Sequence, residues 1–233
     1  MTLDIIVPAA GVGTRFSRCE PKQFIDLVGK PLLVHTLCIF EQIEHIKEII
    51  VVIKQEYRSL IYDYIKKYNL RNNIKVVIGG KSRQESVYKG LSASSADRIL
   101  VHDAVRPLVS VKAIRRVIKA LEKRRAVTMG LPVRETVKVV DAEYLRVVKT
   151  LDRKQMWLAQ TPQGFWREEL LKAHFIAQKQ GFFATDDVAL IEAMGVDVDL
   201  IEGEARNIKI TSPEDLSVVR AWLEMQTVTS GSC

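Results

Sequence analysis

The chain has 233 residues, 47% hydrophobic and 27% charged, which supports a buried core and excludes intrinsic disorder. Its three cysteines, Cys19, Cys38 and Cys233, are too few and too scattered for a disulfide framework or a zinc site, so a reducing cytoplasm is the expected compartment. Lys and Arg number 35 against 28 Asp and Glu, a net charge of +7 that favours anionic partners without choosing among nucleic acid, membrane surface and phosphorylated small molecules.

The apolar stretch Leu3 to Ala10 has no basic residue before it, so it reads as a first core strand rather than a signal peptide. Short Val- and Ile-rich runs at Glu48 to Ile53, Ile74 to Ile78, Ile99 to His102 and Val127 to Leu131 read as further strands. Between them Pro31 to Ile43, Tyr57 to Tyr68, Ser82 to Leu91 and Val111 to Arg124 carry helix-period apolar positions, with Pro31 suited to a first helical turn. This alternation predicts an α/β domain whose mostly parallel sheet is covered on both faces. It breaks at Val133 to Leu151, where two β-type runs meet at a polar turn, Asp141 to Glu143; such a hairpin needs a surface to pack on. Helices are expected again at Arg167 to Gln180 and Asp187 to Met194, then a strand near Asp197 to Ile201. A last helix, Pro213 to Met225, is N-capped by Ser212 with Asp215 in a capping-box position. One domain, 1–226, with an arm at about 133–155 and a frayed tail at 227–233, is the economical organisation. No aliphatic run approaches the ~20 residues that span a bilayer, so no membrane partner is expected.

The first strand runs into Pro8-Ala9-Ala10-Gly11-Val12-Gly13-Thr14-Arg15. Small residues there let backbone N–H groups approach an anion, although a tight strand-to-helix turn would need the same glycines. It is neither the dinucleotide fingerprint, since Phe16 stands where a third glycine would be, nor a Walker loop. Arg15 and Lys22 shift the balance, because two cations beside a glycine loop suit a polyphosphate. At the end of another strand, Val101-His102-Asp103-Ala104-Val105-Arg106-Pro107 offers a carboxylate that could bind Mg²⁺ together with phosphate oxygens. Asp103 lies too far upstream to cap the helix at Val111, whereas Arg106 could either anchor a substrate or simply pair with Asp103.

In Gly79-Gly80-Lys81-Ser82-Arg83-Gln84-Glu85-Ser86, a capping box explains Ser82 and Glu85 but not Arg83 or the paired glycines. Burial does not account for Thr150 to Arg153, Gln160 to Gln163 or Asn207 to Thr211. The four histidines lack metal-like spacing and read as structural, and no Ser/His/Asp or Cys/His set supports covalent catalysis.

These motifs, Pro-Ala-Ala-Gly-Val-Gly-Thr-Arg, Pro-Lys-Gln, Gly-Gly-x-x-Arg-x-x-Ser-Val, Val-His-Asp-Ala-Val-Arg-Pro, Gln-Thr-Pro-Gln and Asn-Ile-Lys-Ile-Thr, stand in this order over nearly the whole chain. The ordered set resembles the 2-C-methyl-D-erythritol 4-phosphate cytidylyltransferases. The resemblance implies a Rossmann-like, glycosyltransferase-A-type nucleotidyltransferase fold with a β-hairpin arm that builds a homodimer. It implies reaction of CTP with a polyol phosphate, methylerythritol phosphate. Mg²⁺ or another divalent cation is the expected cofactor, and Asp103, from the residue reading above, its candidate ligand.

By the same resemblance Arg15, Lys22, Arg153 and Lys209 are the catalytic residues. Ala9, Ala10, Gly11, Gly13, Gly79, Gly80, Ser86 and Ala104 would contact CTP, while Asp103, Arg106, Thr136, Arg153 and Lys209 would bind the polyol phosphate. A ribitol-5-phosphate cytidylyltransferase is the nearest alternative, although Pro132 to Lys138 resembles the methylerythritol branch more closely. A sugar-1-phosphate nucleotidyltransferase would lack the His-Asp-Ala-x-Arg-Pro pattern. Nucleic acid is not an expected partner, because 7% aromatic residues leave no stripe on which bases could stack beside the basic positions.

Overall fold

The structure, a computed structural model, describes residues 1–11, 21–70 and 73–230, with side chains through 225. In chain order it comprises β1 (Leu3–Pro8), β2 (Asp26–Leu27), β3 (Lys30–Pro31), α1 (Leu32–Phe40), β4 (Ile46–Ile53), α2 (Arg58–Lys67), β5 (Ile74–Ile78) and α3 (Arg83–Ala93). There follow β6 (Arg98–Val101), α4 (Val111–Leu121), β7 (Ala126–Pro132), β8 (Lys138–Asp141), β9 (Arg146–Thr150) and β10 (Trp157–Trp166). The chain continues through α5 (Arg167–Gln180), α6 (Val188–Glu192), β11 (Asp199–Glu202) and α7 (Pro213–Ser230). Among the described residues seven strands form one sheet in the order β11-β7-β10-β6-β1-β4-β5. All pairings are parallel except those of β10, which runs antiparallel to both β6 and β7.

Alternation along the strands sorts their side chains into two cores, because successive residues point to opposite faces. Ile5, Val7, Ile49, Val51, Ile53 and Leu100 pack with α1, α2 and α4 through Leu33, Leu37, Phe40, Ile61, Ile114 and Val117. Ile6, Ile50, Val52, Ile99 and Val101 face the opposite way, against Val87 and Leu91 of α3 and Leu170 and Ala173 of α5. Each such aliphatic side chain contributes about 1.5–3 kcal/mol by leaving water. The central strands β1 and β6 are thus buried on both faces, as the Val/Ile-rich runs imply.

Local chemistry fixes most element ends. Ser110 caps α4 by accepting from the Ala113 amide at 3.0 Å, which leaves Asp103 free of that role. Gly181 ends α5 in the left-handed conformation, φ 64°. The carboxylate of Asp215 accepts from the Ser212 amide at 2.9 Å, while the Asp215 amide donates to Ser212 Oγ at 3.4 Å, giving the expected capping box of α7. That helix continues to Ser230, beyond the expected end at Met225.

Two expectations change. Pro31 lies before α1 rather than in its first turn: it is extended, ψ 143°, because Lys30–Pro31 pairs with Asp26–Leu27. The segment Gln160 to Gln163, which the sequence reading leaves unexplained by burial, lies within β10, and Gln160, Thr161 and Gln163 are buried. Gln160 Nε2 donates to the carbonyls of Glu204 and Asn207 at 3.0 and 3.3 Å, and Gln160 Oε1 accepts from the Glu204 amide at 3.1 Å. Gln163 Nε2 donates to Asp186 at 2.7 Å. Hydrogen bonding satisfies what burial would otherwise penalise.

The hairpin β8–β9 forms its own two-stranded sheet with a turn held by Asp141, whose Oδ1 accepts from the Glu143 and Tyr144 amides. All of β9 is solvent-exposed, and Leu145 at the turn is 80% exposed.

Candidate active site

A cleft of about 600 Å³ opens beyond the C-terminal ends of β1, β4, β5 and β6, where open α/β sheets generally receive ligands. Ala9, Ala10, Gly11, Lys22, Gly80, Ser86, Asp103, Ala104 and Lys209, all sequence candidates, line it. Gly79 lies directly behind: a Cβ there would come within 2.6 Å of the Ala10 Cβ and 2.9 Å of Ser86 Oγ, so only glycine lets the two loops approach this closely. Arg15 and Gly13 lie outside the described residues. Thr136 and Arg153 are exposed at the base of the arm and do not line the cleft of their own chain; Arg153 Nη1 donates to the Arg134 carbonyl at 3.0 Å.

Hydrogen bonds from distant segments shape the cleft walls. Gln23 Nε2 donates to the carbonyls of Ala9 and Gly11 at 2.6 and 3.1 Å, fixing the start of the glycine loop. Lys22 Nζ donates to the Ile210 carbonyl at 3.0 Å, which brings the loop beside Lys209. Thr36 Oγ1 donates to the Ala104 carbonyl at 2.9 Å.

Asp103 is the electrostatic centre. Lys209 Nζ lies 2.9 Å and Arg106 Nε 3.3 Å from its Oδ2, with Arg83 Nε 3.4 Å from Oδ1. Burial opposes its charge, but Arg83, Lys209 and Arg106 outweigh that and hold the carboxyl far below the ordinary carboxylate range. Arg83 also pairs with fully buried Asp187 at 2.8 Å. Burial would lower the Arg83 pKa, yet Asp187 and Asp103 drive it above its already high value. Arg106 is 8% exposed and sends Nη1 to the Asn207 carbonyl at 2.8 Å, so it braces the cleft floor as well as pairing with Asp103.

His102 is wholly buried. Its Nε2 faces the Arg106 carbonyl at 3.1 Å and its Nδ1 faces Thr161 Oγ1 at 3.0 Å, while Thr161 Oγ1 accepts from the Asp103 amide at 3.1 Å. Burial lowers its pKa to about 4, against the opposing hydrogen bond to Arg106. The neutral ring with its proton on Nε2 satisfies every partner, in keeping with a structural histidine.

The expected Mg²⁺ ligation by Asp103 does not fit this geometry. Both carboxylate oxygens already face cations, and a metal ion would meet the positive charges of Arg83, Arg106 and Lys209. Among the described residues no three His, Cys, Asp or Glu side chains cluster as a metal site. Nor is any helix there long and apolar enough to cross a membrane.

Several cleft residues escaped the sequence reading. Lys54 and Lys81 line the cleft, and Asp187 anchors Arg83 across 104 positions of sequence. Arg83 leaves a signal as a cation that the capping box does not explain, and Thr211, which also lines the cleft, as the end of a motif that burial does not explain.

Comparison with known proteins agrees with this arrangement. The family model described as 2-C-methyl-D-erythritol 4-phosphate cytidylyltransferase matches residues 3–225. Proteins of that name are similar at 40% identity over 226 residues in Caldanaerobacter subterraneus subsp. tengcongensis, covering 96% of this chain and 99% of that protein. In Bacillus cereus the identity is 41% over 223 residues, covering 95% and 98%. The solved structure of 4-diphosphocytidyl-2C-methyl-D-erythritol synthase from Anaerococcus prevotii aligns with a TM-score of 0.84 at 32% identity, covering 96% of this chain and 98% of that one. The cytidylyltransferase structure from Thermus thermophilus aligns with a TM-score of 0.80 at 33% identity, covering 95% and 98%. Family model and full-length relatives together show that the chain belongs to the 2-C-methyl-D-erythritol 4-phosphate cytidylyltransferase family.

Proposed function

We propose that this chain transfers the cytidylyl group of CTP to 2-C-methyl-D-erythritol 4-phosphate, giving 4-diphosphocytidyl-2-C-methyl-D-erythritol and pyrophosphate. The single observation that supports it most is the meeting of a glycine loop, Lys22 and Lys209 in one cleft, joined by the Lys22 hydrogen bond to Ile210. A phosphate oxygen of the polyol phosphate attacks the α-phosphorus; the new P–O bond forms as the bond to the β-phosphate bridging oxygen breaks, and that electron pair leaves with pyrophosphate. The nucleophile is already anionic, so the protein supplies position and positive charge rather than a base. Lys22, with Arg15, opposes charge at the α-phosphorus, while Lys209 holds the attacking phosphate. The Ala9–Gly11 loop, the Gly79–Gly80 turn, Ser86 and Ala104 receive the nucleotide. Asp103 and Arg106 face the polyol, and Asp103 orients Lys209 rather than a metal.

The arm completes the site in an isologous homodimer, Thr136 and Arg153 of one subunit reaching the cleft of the other. Exposed Val147 and Val148, together with the absence of Arg153 from the lining of its own cleft, support this reading. Three scattered cysteines, with no disulfide framework among them, favour a reducing cytoplasm as the site of the reaction. Pyrophosphate release measured with CTP and methylerythritol phosphate, against ribitol 5-phosphate and against other nucleotides, tests it. Release only with the ribitol substrate, or with none, overturns the assignment.

A further inference from the structure

The turn Gly79–Ser82 has few polar groups left to chance. The Gly79 amide donates to the Ile53 carbonyl at 2.7 Å, and the Gly80 amide donates to Ser86 Oγ at 3.1 Å. Ser86 Oγ in turn donates to the Ser82 carbonyl at 2.8 Å. The Lys81 amide donates to Glu85 Oε2 at 2.8 Å. The remaining fixed group is the Gly79 carbonyl, which accepts from Lys89 Nζ at 3.0 Å, and the same ammonium stands 3.4 Å from Glu85 Oε1. Residues 85, 86 and 89 share one helical face, so α3 staples the turn at three points. Only Lys89 joins two of the staples, holding the carbonyl of Gly79 and the carboxylate that fixes Lys81.

We propose that Lys89 is a positioning residue for the nucleotide: by tying the Gly79 carbonyl to Glu85, it holds the Gly79–Gly80–Lys81 turn in the shape that receives the base, and so sets CTP affinity. The inference rests on the reading of this turn as part of the CTP site. Lys89 lies outside the cleft lining and touches neither phosphate-binding lysine, so its loss leaves the reacting groups in place. The effect belongs to ground-state nucleotide binding, hence to KM for CTP rather than to kcat.

The experiment compares the parent with Lys89→Met, which keeps the apolar stem, and Lys89→Arg, which restores a cationic donor. CTP binding is measured calorimetrically, and pyrophosphate release gives kcat and both KM values. Loss of one charge-assisted hydrogen bond at a partly exposed site is expected to weaken CTP binding about tenfold in Lys89→Met. KM for CTP should rise in parallel, with kcat within about twofold and KM for the polyol phosphate unmoved, and Lys89→Arg should recover most of the affinity. Lys89→Met binding CTP as tightly as the parent overturns the proposal. So does a parallel loss of CTP affinity, polyol phosphate affinity and thermal midpoint, which would mark a merely structural lysine. A parent that binds no CTP at all defeats instead the functional reading on which the proposal rests.

Discussion

Three cations within 3.4 Å of one carboxylate make Asp103 the residue whose charge the cleft can least lose. Asp103→Asn leaves Arg83, Arg106 and Lys209 facing one another without their common anion, and frees Lys209 from its anchor. Activity is expected to fall by about 10²-fold or more, while the Mg²⁺ concentration giving half-maximal rate stays where it is in the parent. Titrating Mg²⁺ in a pyrophosphate-release assay checks this, and a strongly displaced Mg²⁺ midpoint would restore Asp103 as a metal ligand. Lys22→Ala should lower kcat by about 10²–10³ with a smaller change in CTP affinity; near-normal kcat with a raised KM would reassign Lys22 to ground-state binding. His102 supplies a pH signature. Its pKa is about 4 when folded, against 6.5 for the free ring. Between those values the unfolded chain holds more protons, so stability rises with pH through that window and is lost as pH falls from 6.5 towards 4. The loss amounts to about 3 kcal/mol at most. Denaturant melts across this range should show it, and His102→Gln should flatten the His102 part of the slope.

At the scale of elements, β1, β4, β5 and β6 announce themselves as short Val/Ile-rich runs, and α5 has the bounds its periodicity predicts. β10 does not, because its buried centre is Gln160-Thr161-Pro162-Gln163, and polarity there imitates a loop. Its burial is paid for by hydrogen bonds to segments more than 40 positions away, such as Glu204 and Asn207, which no local pattern reveals. Replacing Gln160 with Leu strands the Glu204 amide, while the Glu204 and Asn207 carbonyls keep the Asn207 amide and Arg106 as donors. A loss of about 1–3 kcal/mol in urea unfolding is expected, more than a surface substitution costs. The pairing of Arg83 with Asp187 is illegible for the same reason: Arg83 stands out in its motif, but its partner lies 104 positions away and looks ordinary alone.

For the whole molecule, the arm raises the question of what lies against it. β9 is exposed along its full length and Tyr144 and Leu145 stand out at its turn, a surface a two-stranded hairpin does not keep in water without a partner. Mixing an Arg153→Ala protein with a Lys209→Ala protein should therefore restore activity on subunit exchange, since each heterodimer holds one intact site. A mixture as inactive as its parents, despite demonstrated exchange, would place Arg153 in the cleft of its own chain. The sequence pattern discloses the hairpin, whereas no spacing within it discloses what lies against it.

The hydrogen bond from Lys22 to the carbonyl of Ile210 also has a meaning in time. At roughly 5–20 residues per second, a ribosome needs about 10–40 s to pass from the first codon to this one. In the second half of that interval β1, β4, β5 and β6 can pair and bury their aliphatic faces, but Lys209 does not yet exist to face Asp103. The nascent chain thus acquires its scaffold before its charge balance. A growing polypeptide halted at residue 200 would carry the glycine loop but lack the lysine that faces Asp103.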